Sequence, residues 1–213
     1  MGRRNPQRAN NKVAIPSSHL RIIGGQWRGR KLEFMAVDGL RPTPDRVRET
    51  LFNWVQPYIS GARCLDLFSG SGALGLEALS RNAESVTFVD LNNITTRQLQ
   101  TNLQLLKTQS AEVIQADVMQ WLESRLTDME PRYDMVFMDP PFRQDMVSTC
   151  CALLESHNLL AENAIIYVET ESELSHPNVP DNWEEHRSKT AGQVSYRLYI
   201  RKNRISASHR DHI

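Results

Sequence analysis

No uninterrupted apolar run in this chain approaches the roughly 18 to 20 residues that cross a bilayer. The segment Met1 to Asn11 also has no apolar stretch of the kind a signal peptide needs, so a cytoplasmic protein is expected. Cysteine is scarce: Cys64, Cys150 and Cys151 are an odd number with two adjacent, which excludes a disulfide framework and a spaced metal-ligand set and leaves buried reduced thiols. The six histidines show no metal-ligand spacing either. There is no net charge, no internal repeat and no low-complexity segment. What is present is an ordinary globular balance, 40% hydrophobic against 23% charged over 213 residues, enough for one core and a small appendage.

The zero net charge hides a sorting of signs. Residues 1–50 carry eleven basic side chains against four acidic, residues 51–186 seven against twenty, and residues 187–213 seven against one. Basic ends on an acidic body can present a local phosphate-binding surface, because counterion release depends on the cluster rather than on the total. The run from His19 to Lys31 mixes Arg21, Arg28 and Arg30 with Trp27 and three glycines, so it can be ordered as well as charged.

Residues 1–18 read as a basic arm without fixed structure. Leu20 to Ile23 and Lys31 to Phe34 read as a hairpin with Trp27 and Arg28 near its tip. Thr43 then supplies a helix N-cap and Pro44 the first helical position, and Val47, Leu51, Trp54 and Val55 recur at helical spacing until Pro57 stops the run. From Ala62 onward short apolar strands alternate with helical stretches, the pattern of a mostly parallel sheet covered on both faces. Strands are predicted at 63–68, 85–90, 111–115, 135–138 and 164–170, with helices at 73–81, 95–106, 119–126 and 144–157. Two strand-like runs at 183–189 and 193–201, separated only by Thr190-Ala191-Gly192, predict an antiparallel hairpin at the end of the sheet.

The segment from Cys64 to Gly75 passes from a strand through a glycine turn into a helix. Gly70, Gly72 and Gly75 satisfy a dinucleotide fingerprint, and Asp90 follows Gly70 by twenty residues, where a ribose-binding carboxylate belongs. That spacing fits a nicotinamide cofactor, a flavin or the adenosyl group of S-adenosylmethionine. Asp66 favours the last, since a carboxylate there would repel a pyrophosphate but suit a sulfonium with an amino-acid ammonium. Asp117 and Val118, after the third strand, could meet an adenine. Asp139-Pro140-Pro141-Phe142 closes the fourth strand. Neither proline has an N–H, so the corner offers acceptors only, which suits the two hydrogens of a planar amine, and Phe142 adds a stacking face.

These motifs resemble the class I S-adenosylmethionine-dependent methyltransferases, and Asp139 to Phe142 looks like the signature of those that methylate amino nitrogens. Arg21 to Gly25 with Trp27-Arg28-Gly29, Arg41-Pro42-Thr43, Asp45 to Trp54, and the glycine loop continuing from Glu77 to Arg81 are similar to the bacterial RsmD family, which methylates N2 of one guanine in 16S ribosomal RNA. The resemblance implies an α/β Rossmann-like fold with a seven-stranded sheet, an N-terminal extension over 19–57, a methyltransferase domain over 58–202 and a tail over 203–213. It implies S-adenosyl-L-methionine held by Thr43, Asp66, Phe68, Gly70, Gly72, Asp90, Leu91, Asp117 and Val118. Catalysis would rest on Asp139, the Pro140 carbonyl and Phe142, and RNA contact on Arg21, Trp27, Arg28, Arg30 and Arg46. The partner would be 16S rRNA within a small-subunit particle, met by a monomer. The alternatives are a methyltransferase for adenine N6 in DNA or for a protein amide, a nicotinamide-dependent dehydrogenase, and an RNA-binding protein without catalysis.

Overall fold

The computed structural model describes residues 17–35, 43–125, 132–141, 146–174 and 176–202. The N-terminal arm up to residue 16, the tail from residue 203, Arg41, Pro42 and Phe142 lie outside the described residues, as do the expected helical positions 126 and 144–145. Alternating apolar segments give seven strands in one sheet: β3 (Arg63–Leu67), β4 (Ser85–Asp90), β5 (Ala111–Gln115), β6 (Tyr133–Met138), β7 (Leu160–Glu171), β8 (Trp183–Ala191) and β9 (Val194–Arg201). A separate antiparallel hairpin, β1 (Ser17–Arg21) and β2 (Lys31–Met35), precedes them. The sheet order is β5-β4-β3-β6-β7-β9-β8, with the first five strands parallel and β9 antiparallel to both its neighbours. This is the expected Rossmann-like architecture ending in an antiparallel hairpin. β8 forms one edge, and its exposed Glu184, Glu185, Arg187 and Lys189 discourage pairing with another sheet.

Strand alternation sends successive side chains to opposite faces. Cys64, Met135, Phe137, Ile165 and Tyr167 join one core with α1 (Asp45–Ile59), α2 (Ala73–Ser80), α3 (Asn93–Leu106) and the hairpin. Leu65, Leu67, Val136, Met138, Ile166 and Val168 join the other with α4 (Val118–Glu123) and α5 (Met146–Ser156). All three thiols are buried and free, and burial pushes that of Cys150 up to about 12. Among the described residues no helix is long and apolar enough to cross a membrane.

Two expectations at the extension need correction. Pro57 lies inside α1 rather than ending it. It removes one backbone bond close to the helix end, while burial of Ile59 rewards the last turn. Pro44, not Thr43, is the N-cap, and its carbonyl receives the amides of Val47 and Arg48. Thr43 is thereby free for another role.

Gly75 shows how tightly α2 sits on the sheet. A Cβ there would stand 2.2 Å from Cε1 of Phe88, which is fully buried on β4. Gly75→Ala is expected to lower stability by about 1 to 3 kcal/mol, the range for overpacking a filled core, read from the urea midpoint.

Candidate active site

β4 lies on one side of β3 and β6 on the other, so the chain reverses its direction of winding beside β3. Open α/β sheets bind ligands outside the carboxyl ends of strands at such a switch point. Here β3 leads into the glycine turn. Phe68 adopts φ 62°, a left-handed conformation unusual for a bulky residue and a form of strain that clusters at ligand-binding turns. Gly72, at φ 76°, caps α2, and a Cβ there would meet Leu99 Cδ1 at 2.5 Å. Ser69 Oγ is buried in this turn with no hydrogen-bond partner among the described residues.

Carboxylates surround the turn. Asp66 is buried, and its Oδ2 accepts the Gly75 amide at 2.9 Å. Asp90 accepts the Gly70 amide on Oδ2 at 2.7 Å, and the Asn92 amide and Thr95 hydroxyl on Oδ1 at 2.8 and 3.0 Å. Each oxygen offers two lone pairs, so Oδ2 retains one acceptor direction. Leu91, next in sequence, is 67% exposed, an apolar surface at the strand ends. Asp117 caps α4 by accepting the Gln120 amide at 3.0 Å. The Val118 side chain is buried beside Trp121 and Leu122.

Asp139 follows the last residue of β6, where Pro140 is buried and Pro141 exposed. In the parallel ladder Met138 stands opposite Val168, which brings Glu169 of β7 alongside Asp139. Alternation puts Asp66, Asp139 and Glu169 on one face of three adjacent strands. Glu169 Oε1 accepts the Tyr167 hydroxyl at 2.8 Å and the Thr43 hydroxyl at 3.5 Å, and the same threonine favours the ionised form of Asp139. Sequence reading missed Glu169. Its signal was one charge inside the apolar run from Ile165 to Val168 and on into Thr170.

Burial dominates the electrostatics of this cluster. It pushes the Asp66 carboxyl up to about 8, against the Gly75 hydrogen bond and helped by the charges of Asp139 and Asp90. It raises Asp139 to about 6 against the Thr43 hydrogen bond. Glu169 rises to about 8 through burial and then through the Asp139 charge. Crowded carboxylates that resist ionising form a site that gains by receiving a cation.

A family model described as "Conserved hypothetical protein 95" matches residues 20–200. Ribosomal RNA small subunit methyltransferase D of Escherichia coli strain K12 is 52% identical over 186 residues, spanning 87% of this chain and 92% of that protein. The chain belongs to the RsmD family. The protein of the same description from Haemophilus influenzae is 49% identical over 193 residues, spanning 88% of this chain and 98% of its own. The solved structure of yhhF from Escherichia coli shares the fold with a TM-score of 0.79 at 48% identity, covering 87% of this chain and 99% of that one. As an RsmD-family member the chain is a methyltransferase.

Within the RsmD frame, the extension is anchored by one side chain. Glu77 of α2, fully buried, accepts the amides of Ile23 and Gly24, each at 2.8 Å, and pairs with Arg81 Nε at 2.8 Å. Arg48, also fully buried, lies 3.8 Å from it and donates to the Arg21 carbonyl. Arg21, Arg28, Arg30 and Arg46 are exposed, with Arg21 3.3 Å from Asp45. Trp27 is a correction. It sits in a 3-10 turn, Gly25–Trp27, with only 9% of its surface exposed, and its amide donates to Ser80 Oγ, so the ring fills the core instead of facing a base.

Proposed function

We propose that this chain transfers a methyl group from S-adenosyl-L-methionine to the exocyclic N2 amine of a guanine in 16S ribosomal RNA. The observation that carries the reading is the acceptor corner Asp139-Pro140 standing beside Asp66 and the glycine turn at one sheet edge. The names of its relatives support ribosomal RNA as the substrate class.

The residues present fit the donor. Ser69 Oγ has no partner among the described residues, the turn is closed to a Cβ at Gly72, Asp90 keeps an acceptor direction, and Leu91 offers an apolar face. Asp66, Phe68, Gly70 and Gly72 would hold the methionine end, with Thr43 closing over it. Asp90 and Leu91 would meet the ribose, and Asp117 and the chain at Val118 the adenine. When bound, S-adenosylmethionine supplies a methyl carried on a positively charged sulfur. Asp139 and the Pro140 carbonyl accept the two amine hydrogens and so aim the nitrogen lone pair, and Phe142 stacks on the base. Positioning of this kind contributes roughly 7 to 11 kcal/mol when reacting atoms are held near contact. The nitrogen becomes acidic only on methylation, and Asp139 or water then takes its proton.

A guanine in folded RNA must be unstacked first, at about a few kcal/mol. Phosphate contacts from Arg21, Arg28, Arg30 and Arg46 would offset that cost, within a small-subunit particle and with the enzyme a cytoplasmic monomer. Joint replacement of Arg28 and Arg30 by Ala is expected to weaken RNA binding and reduce the slope of log K against log salt by up to about 2, leaving donor binding unchanged. An unaltered slope in a salt titration would remove these two residues from the interface.

The reading is tested by incubating the enzyme with labelled donor and small-subunit RNA from cells lacking it, then separating the nucleosides. Label in N2-methylguanosine is the expected result. Label in N6-methyladenosine, in protein, or nowhere would overturn it.

A further inference from the structure

The sheet order divides its carboxyl edge between the two reactants. Asp117 follows β5, Asp90 ends β4 and Asp66 lies on β3, so the carboxylates assigned to the donor all stand on one side of β6 and Asp139. The RNA strand that brings the guanine must therefore approach over the other side, across β7, β9 and β8. The loop that carries Arg28 and Arg30 serves a different place. Its Trp27 amide and Gln26 side chain donate to Ser80 Oγ and the Leu79 carbonyl, in the last turn of α2, roughly 10 Å along that helix from the glycine turn. Cations close to the reacting amine have to come from elsewhere in the fold.

The outer strand supplies two. One residue beyond the Met138–Val168 pair, Asp139 stands alongside Glu169; Glu169 lies opposite Tyr196 of β9, and Tyr196 opposite Lys189 of β8, a single row across the sheet. A bulge between Glu185 and Arg187 adds one residue to β8 and exchanges the faces that its side chains take. Before it, Glu185 lies opposite Tyr199 of the core under α4 and α5, and pairs with Arg197 at 3.7 Å. After it, Arg187 lies opposite Leu198 and Lys189 opposite Tyr196, both in the core on the Asp139 face. Without the extra residue that face would receive His186 and Ser188 instead. Arg187 and Lys189 are exposed, and neither forms an ion pair with a described residue. Glu184, the acid on the same face, is further from the site and pairs with Lys202 at 3.1 Å. We infer that Arg187 and Lys189 form a second RNA contact, holding backbone phosphates beside the unstacked guanine. Three strand spacings set Lys189 about 14 Å from Asp139, a span covered by the ribose and phosphate of one nucleotide together with a long basic side chain. Phosphate contacts position a strand without reading its sequence, so the pair fixes how the RNA lies rather than which base is chosen.

This inference rests on the guanine-methylating reading, so its test begins from wild-type enzyme that binds small-subunit RNA and makes N2-methylguanosine; a wild type that does neither sinks that reading and this inference with it. Binding of the full chain carrying Arg187→Ala and Lys189→Ala is then measured against salt. Each phosphate contact to a single strand adds about 0.7 to the slope of log K against log salt, so the slope should fall by about 1.4 and RNA binding should weaken about tenfold or more near 0.1 M salt. KM for RNA should rise by the same factor. The rate at saturating RNA and the donor affinity should stay at the wild-type values, because neither side chain reaches the reacting atoms or the donor. Lys202→Ala removes a cation at the opposite end of the same hairpin and should leave the slope unchanged. A wild-type slope in the double variant, or a slope that falls as far per charge in Lys202→Ala, would overturn the assignment.

Discussion

Asp139→Ala is expected to reduce methyl transfer by at least about 10² to 10³, the cost of removing one oriented electrostatic partner from a closed site, while donor affinity changes little. The substitution deletes the acceptor that orients the amine and leaves the glycine turn, Asp66 and Asp90 in place. It should not destabilise the protein. Burial raises the folded Asp139 carboxyl from 3.8 to about 6, so at neutral pH its ionised form opposes folding, and the stability it offers is complete only below the unfolded value and lost as pH rises through 6. Deleting it also relieves Asp66 and Glu169 of a like charge. The expected pattern is thus an inactive enzyme with unchanged donor binding by calorimetry and an unfolding temperature no lower than wild type. Asp139→Asn keeps one carbonyl acceptor and cannot titrate, so it should retain more activity than the alanine and show no loss toward pH 5. Near-normal turnover by Asp139→Ala would show that the corner does not orient the amine.

The elements legible in the sequence were those whose local pattern and tertiary role coincide. β4 and β5 fall where they were expected because their apolar runs are bounded by polar turns and buried in the sheet. β3 ends one residue early because Phe68 turns left-handed, a backbone state that no side-chain pattern announces. Trp27 was misread for a different reason. An aromatic among arginines and glycines looks like a recognition surface, but the ring is buried in the core and the backbone amide that fixes the turn donates to Ser80, 53 residues away. Thr43 looked like a cap, and its alternative partner Glu169 is 126 residues distant. The Asp66, Asp90 and Asp139 positions were legible because strand ends in an open α/β sheet converge by topology. Glu169 was not, because only the β6–β7 register makes it a neighbour of Asp139.

The same long-range dependence makes Glu77 the side chain whose loss should cost most in stability. It is an acidic residue on a short helix that is buried throughout, and its two oxygens gather two backbone amides from the extension and the Arg81 guanidinium. Arg48 stands behind it with no exposed surface; its Nη2 pairs with Asp45 Oδ1 at 2.6 Å, while its Nε and Nη1 have no hydrogen-bond partner among the described residues. Glu77→Ala would leave that buried cation with Asp45 as its one carboxylate neighbour among the described residues and the Ile23 and Gly24 amides without their acceptor. Removing one partner of a buried ion pair costs about 3 to 5 kcal/mol, a large share of a total stability of roughly 5 to 15. Glu77→Gln should recover only part, because its NH₂ would face a donor wherever it pointed. The loss should appear in the denaturant midpoint and, first, as faster hydrogen exchange at Ile23 and Gly24, since those amides hold the hairpin to α2. RNA binding should weaken with it, because Arg28 and Arg30 lie on the released segment, whereas donor binding should survive at temperatures below the shifted transition. A midpoint change worth less than about 1 kcal/mol, the value of an ordinary hydrogen bond, would mean that the extension is held by its apolar contacts with α1 and α3 rather than by this carboxylate.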